Sequence, residues 1–479
     1  MDSTYPYQIR RCTHSPPRRL PKPYIHPKPV SMATVMTYRA HARATLLLGL
    51  PLIGSHLAQF SIHMTDTLML GWYDIKALAA LTIAGSFWFL LFIMGSGFAF
   101  AVAPMVASAE ASDQGPQVRR VTRMGMWISL IYGVAVLPFM WWSGPLLVAM
   151  GQDAEISQIA QEYLRITCLG TLPALLVMVL KNFLAGLERA SIVLWITMSA
   201  VVLNALVNYA LIFGNFGAPE LGVTGAAISS LLMQSLSFVA LAAYIIYKLP
   251  EHAMFQRFWR LDREAFGAVF QMGWPIGLTN LAESGLFTAS AVMVGWIGTA
   301  ELAAHGIALQ LTAVTFMVQV GFSNTATVRA GRAYGRHDAL GLKRGAQVVL
   351  AMSAVVSLFV VITFLSIPEP LIGAFLAPDD PERGLIIGIG VSLLAVAALF
   401  QFADSAQVMA LGLLRGVHDT KVPMFIAALA YWPLGLSAGY LLGFTYGFGA
   451  VGVWLGLVVG LGVAGILMMY RFWTTAVRI

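Results

Sequence analysis

Charge is what this chain has least of. Of its 479 residues 11% are charged and 58% are hydrophobic, whereas a soluble domain carries roughly 25% charged residues. So few charges cannot keep a protein of this size dispersed in water, so its main solvent is lipid. Cysteine is nearly absent. Cys12 and Cys168 are the only two, which excludes a disulfide framework. Neither GxxxxGK[ST] nor HExxH occurs, so ATP-driven transport and zinc proteolysis have no motif to rest on. No other catalytic motif argues for an intramembrane enzyme. Short segments of alternating polarity, the mark of a membrane barrel, are missing as well.

What is present is long apolar runs. "VVLAMSAVVSLFVVITFLSI" and "GVWLGLVVGLGVAGILMMY" carry no charge, and each is about as long as the ~20 residues that cross a bilayer as a helix. Twelve spans are predicted, over 44–70, 77–109, 121–143, 157–187, 190–214, 222–249, 265–297, 301–332, 343–366, 384–416, 420–444 and 449–473. Residues 1–43 read as a basic, proline-rich, disordered cytoplasmic tail without the apolar core of a signal peptide, with Met32 and Met36 as alternative starts. Positive charge orients the rest. With both termini in the cytoplasm, only Lys76 and Arg383 fall on the opposite side, and Arg165 and Lys181 lie within a helix. Every other Lys and Arg is cytoplasmic, a strong positive-inside pattern. The net charge of +7 therefore reflects topology and implies no nucleic acid.

The chain repeats itself. "PLIGSHLAQFSIHMTDTLMLGWYDIKALAALTIA" aligns at a constant offset with "PIGLTNLAESGLFTASAVMVGWIGTAELAAHGIA", pairing Pro51 with Pro275, Gly71 with Gly295, Trp72 with Trp296 and Gly97 with Gly321. "LAGLERASIVL" falls opposite "LRGVHDTKVPM" at a slightly larger offset. Each half holds six spans, giving an N-lobe over 44–250, a cytoplasmic linker over 251–264 and a C-lobe over 265–479. Repeats of this kind characterise secondary transporters, with sites near mid-membrane.

Ionisable groups inside spans are costly and mark function by default. His56, Gln59, His63 and Asp66 are spaced 3, 4 and 3, which places them on one helical face. Asn204 and Asn208 share a face of the fifth span and can serve Asp66, either as a site or as a hydrogen-bond network tying helices together. In the seventh span Asn280, Glu283 and Ser290 occupy the repeat positions of His56, Gln59 and Asp66, so the two halves place their acids differently. The tenth span adds Asp404 with Gln401, Ser405 and Gln407. A Glu and an Asp in apolar helices can share a proton or hold a hard cation such as sodium. Lys181 is expected to snorkel, and Arg415 to pair with Asp419 at a helix end. The glycines at 435, 439 and 443 and at 452, 456 and 460 form close-packing faces.

"TDTLMLGW", "AELAAHGIALQ", "FQFADSAQVMALGLLRGVHDT" and "ALAYWPLGLSAGY" resemble the multidrug and toxic compound extrusion (MATE) family, in particular its NorM-like bacterial branch, over roughly 44–470. The resemblance implies an all-α membrane protein, a V-shaped arrangement of twelve transmembrane helices in two pseudo-symmetric six-helix lobes. It implies export of bulky, often cationic or amphipathic compounds in exchange for sodium ions or protons, with no cofactor. Glu283 and Asp404 match the family's C-lobe cation site, with sodium possible there. Asp66, Asn204 and Asn208 match its N-lobe acidic site. Gln59, His63, Asn280 and Gln401 are auxiliary polar candidates. Phe400 stands where NorM-like sequences often have tyrosine, so a phenol oxygen is expected to be missing from the C-lobe site, which favours protons or the N-lobe for coupling. The expected partners are drugs, toxic organic cations and membrane lipid, around a monomer in the bacterial inner membrane. A lipid-linked glycan flippase of the same wider superfamily and a passive channel are the alternatives.

Overall fold

The structure is a computed structural model that describes residues 36–378 and 381–478. The expected tail lies almost wholly outside these residues. Its last residues do not, because the first helix begins at Tyr38.

Twelve long helices follow one another. They are α1 (Tyr38–Tyr73), α2 (Ile75–Ala111), α3 (Gly115–Trp141), α4 (Ala154–Gly186), α5 (Ala190–Phe213), α6 (Gly222–Lys248), α7 (Arg263–Ile297), α8 (Thr299–Gly335), α9 (Ala339–Ser366), α10 (Arg383–Gly416), α11 (Lys421–Thr445) and α12 (Gly449–Arg471). The chain is a helical, multi-pass membrane protein: eleven of these are long and apolar enough to cross a bilayer. The twelfth, α7, is as long at 35 residues but contains no stretch apolar enough to count with them, and it carries Glu283. All lie in one compact unit beginning at Met36.

Polar residues at the boundaries start the helices. Asp74, Asp153, Asp262 and Asp338 each accept a backbone N–H of the first turn of α2, α4, α7 and α9, meeting donors that a helix cannot satisfy itself. Arg120 of α3 donates to both oxygens of Asp262. These hydrogen bonds from Arg120 hold that carboxyl at about 2, well below its ordinary range.

The repeat is visible in the backbone. Asp113 after α2 and His337 after α8 are both non-glycine residues in the left-handed region, at φ 56° and 53°. Glu188 after α4 and His418 after α10 form a second such pair, at φ 59° and 63°. Each pair occupies matched positions in the two halves, so the same strained helix termini recur.

Between apolar helices in lipid there is little hydrophobic drive, and small residues allow close approach. A Cβ on Gly97 of α2 would lie 2.3 Å from the Gly277 nitrogen of α7. A Cβ on Gly321 of α8 would lie 2.4 Å from Ile53 Cγ1 and 2.8 Å from Ile53 Cα of α1. Gly97 and Gly321 are repeat mates, as are Gly277 and Ile53, so one contact is the pseudo-two-fold image of the other. Ala107 and Gly331, also mates, meet each other across the axis. The glycines of α11 and α12 interlock as expected: a Cβ on Gly456 would sit 2.3 Å from Gly439 Cα. Two stretches of α11, Ala430–Leu436 and Leu441–Thr445, are π-helical, a wider winding that recurs at functional sites.

Candidate functional site

In the first half, Asp66 of α1 is buried. Asn208 Nδ2 donates to its Oδ1 at 2.6 Å and Asn204 Nδ2 to the same oxygen at 3.2 Å. Ser230 Oγ of α6 stands 3.5 Å from Oδ2. Asn204 also reaches Ser229 Oγ at 3.4 Å, and Asn208 Nδ2 reaches Asn204 Oδ1 at 3.3 Å. The four-residue spacing of the two asparagines puts both amides over one carboxylate, so the three residues grouped by spacing do meet. Ser229, Ser230 and the buried Tyr163 of α4, which lies within electrostatic range of Asp66, were not singled out in the sequence. Their only signal is polarity inside apolar helices.

The rest of the α1 stripe does not serve Asp66 as a unit. His56 Nε2 lies 2.8 Å from Asn324 Nδ2 of α8, across the halves. Gln59 Oε1 accepts from Lys181 Nζ at 3.0 Å, so Lys181 does not snorkel: it turns inward to a neutral amide. His63 is exposed and within electrostatic range of Asp66.

In the second half, Glu283 of α7 and Asp404 of α10 are buried and within electrostatic range of each other. Among the described residues, Glu283 Oε1, Asp404 Oδ1 and Gln407 Oε1 have no hydrogen-bond partner. Buried polar atoms normally find one, so this is an acceptor-rich pocket suited to a proton or a hard cation. Gln407 Nε2 donates to Tyr431 Oη at 2.7 Å, and the wholly buried Tyr431 lies within range of both acids. Phe400 brings no phenol oxygen here, and Tyr431, on the π-helical turn of α11, places one within electrostatic range of both acids. Phe400 itself packs edge-on against Phe287 and Trp454. Gln401 turns away, accepting from Thr315 Oγ1 at 3.0 Å.

Arg415 overturns a second expectation. It makes no pair with Asp419, which binds Arg471 at 2.6 Å. Arg415 Nη2 instead donates to Asn280 Oδ1 at 2.8 Å and lies within range of Glu283. A residue read as a loop fastener thus brings a cation to the second site. α10 extends to Gly416, so Arg415 remains on the helix beside α7.

The halves touch chiefly along α1 and α2, which pack on α7 and α8. His41 with Arg329, Gly49 with Thr325, Ile53 with Gly321, His56 with Asn324, Gly97 with Gly277, Pro104 with Gly331 and Ser108 with Gly335 join α1 and α2 to α7 and α8. Each of these residues lies between mid-helix and the ends that meet the arginine-rich turns. Two six-helix halves, joined there and each holding one buried carboxylate centre, match a known architecture. A family model described as MatE aligns with residues 51–210 and again with 275–441, beginning at the repeat mates Pro51 and Pro275.

The chain belongs to the MATE family.

It resembles curated proteins named NorM over most of its length. It is 43% identical to a probable multidrug resistance protein NorM of Rhizobium meliloti (strain 1021), over 92% of this chain and 95% of that one. It is 41% identical to the protein of the same name from Agrobacterium fabrum, over 90% and 94%. Among solved structures it matches an outward-facing multidrug resistance MATE family transporter of the MOP superfamily (TM-score 0.83, 19% identity, 92% and 97% covered). It also matches the eukaryotic MATE transporter AtDTX14 (TM-score 0.82, 17% identity, 92% and 97% covered). These two show a shared all-α MATE fold.

Proposed function

We propose that this MATE protein is a multidrug efflux antiporter. It exports bulky cationic or amphipathic compounds from the cytoplasm and takes up a proton or sodium ion in return. Both termini and the arginine-rich turns face the cytoplasm, in the inner membrane of a bacterium. The N-lobe is 44–250 and the C-lobe 265–479, and one chain holds both carboxylate centres, so it works as a monomer. The observation that carries this reading is the pair of buried acids, Glu283 and Asp404, whose oxygens Oε1 and Oδ1 have no partner.

The coupling ion is a substrate of this exchange. Protonation, or sodium held by Glu283, Asp404 and the neutral oxygens of Gln407 and Tyr431, removes negative charge from the C-lobe. A cationic drug depends on that same charge, so ion and drug compete. Binding moves the lobes only through unequal affinity for the two arrangements. The arrangement described above is closed on the arginine-rich side. In the N-lobe, Asp66 already accepts from two amides, which satisfies it without an ion. This favours the C-lobe acids as the coupling pair.

Everted vesicles with a dye substrate test the assignment, with the pH gradient and the sodium gradient imposed in turn. Glu283→Gln and Asp404→Asn are each expected to abolish gradient-driven efflux, and Asp66→Asn to slow it. Full activity in both C-lobe variants would overturn the assignment, and equilibration without accumulation would mean a channel.

A further inference from the structure

A third polar site lies apart from both carboxylate centres, where the halves meet at the arginine-rich end. It is a cavity of about 180 Å³ whose walls include His41 and Ala44 of α1, Glu188 of the α4–α5 turn, Arg329 and Arg332 of α8, and Gly345 of α9. That volume holds several waters, since one needs only about 10–15 Å³ on this measure. Arg336 and Asp338 also line it.

The charges around it are unevenly committed. Glu188 is paired with Arg332 at 3.2 Å, and Asp338 caps α9 through the Gly341 nitrogen at 2.7 Å. Arg329 Nη2 lies 2.7 Å from His41 Nδ1. A guanidinium can only donate, so Nδ1 is the acceptor and the ring proton sits on Nε2. That N–H and the Arg329 Nε–H are both buried and have no partner among the described residues. Arg336 is exposed at the rim and has no ion pair among the described residues. The wall therefore offers surplus N–H donors and uncompensated guanidinium charge, while both its acids are engaged.

We propose that this cavity binds a phosphate group and that its occupancy holds the two halves together at this end. His41 and Glu188 belong to the first half, and Arg329, Arg332 and Arg336 to the second, so a ligand touching both bridges them. Charge-assisted hydrogen bonds from guanidinium to phosphate are among the strong ones. The apolar wall formed by Ala326, Ala330 and Val349 can take the first methylenes of a phospholipid's acyl chains. Basic pockets between helices on the cytoplasmic side are places where anionic head groups bind. The binding claim stands on the cavity alone, and the effect on the halves rests on the proposed exchange between two arrangements of the lobes.

The test uses the delipidated full chain in detergent. Thermal unfolding is followed with inorganic phosphate, with chloride at equal ionic strength, and with short-chain phosphatidylglycerol or phosphatidylcholine. Phosphatidylglycerol alone raising the midpoint identifies a lipid head group, and inorganic phosphate raising it too identifies a free phosphate ligand. Gly345→Val fills the cavity from a position where a Cβ meets only His41, at 3.5 Å, and is expected to abolish the shift. Arg336→Gln, at the exposed rim, is expected to weaken the apparent affinity about tenfold. No shift with inorganic phosphate or either phospholipid, or shifts that survive in both variants, would overturn the proposal. Binding without any slowing of efflux would leave the site standing and remove its influence on the halves.

Discussion

Adding one methyl group at Gly97 is expected to disrupt the closed arrangement without touching either carboxylate centre. Its Cβ would lie 2.3 Å from the Gly277 nitrogen, 2.5 Å from the Gly277 Cα and 2.6 Å from the Gly273 carbonyl oxygen. All three are backbone atoms, so no side chain can rotate away. Ordinary contact begins near 3.4 Å, so α2 and α7 must separate by about 1 Å. Overpacking of this kind costs about 1–3 kcal/mol, and 1.4 kcal/mol is tenfold in a population. Gly97→Ala should therefore lower the occupancy of the closed arrangement by roughly five- to a hundredfold, and Gly97→Val by more. The assay pairs one spin label on α2 with one on α7 near their arginine-rich ends and reads the distance distribution alongside dye efflux. Both variants should populate longer distances, with efflux falling in the same order. Unchanged distances and efflux in Gly97→Val would refute the reasoning, because the backbone contact would then not be the closing surface. Gly321→Val, at the image contact on Ile53, should behave alike.

Tyr431→Phe removes the phenol that accepts from Gln407 while keeping the ring. The ion concentration for half-maximal efflux should rise about tenfold with the maximal rate retained, and an unchanged value would exclude Tyr431 from the site. Asp262 titrates at about 2 in the folded protein. A depressed carboxylate stabilises above its unfolded value near 4 and loses that stabilisation as pH falls toward 2. The thermal midpoint of the native protein should drop over that window relative to Asp262→Asn, and parallel curves would contradict the pairing with Arg120. His337→Gly relieves an exposed left-handed residue and should raise stability by about 1 kcal/mol, seen as a higher unfolding midpoint with transport unaltered. A lower midpoint would show that the His337 side chain contributes more than its backbone strain costs.

Much of this protein follows from sequence alone. Few charges and long apolar runs require helices in lipid, because backbone polar groups there must be satisfied within the segment. The identical pairs at a constant offset revealed the duplication, and the spacing of Asn204 and Asn208 put both amides on one face. The interlocking glycines of α11 and α12 were legible for the same reason, since local periodicity fixes which side chains share a helix face.

What sequence did not decide is which faces meet. Spacing placed His56, Gln59, His63 and Asp66 together, yet four helices divide them: α8 takes His56, α4 takes Gln59, and α5 with α6 take Asp66. Arg415 is four residues from Asp419, but its partner is Asn280, 135 positions away. Tyr431 reaches the acids of α7 and α10 from a π-helical turn of α11, whose winding shifts the face on which a side chain emerges. Helical spacing constrains neighbours within one helix. The partners of a buried charge come from other helices, and only tertiary packing chooses them.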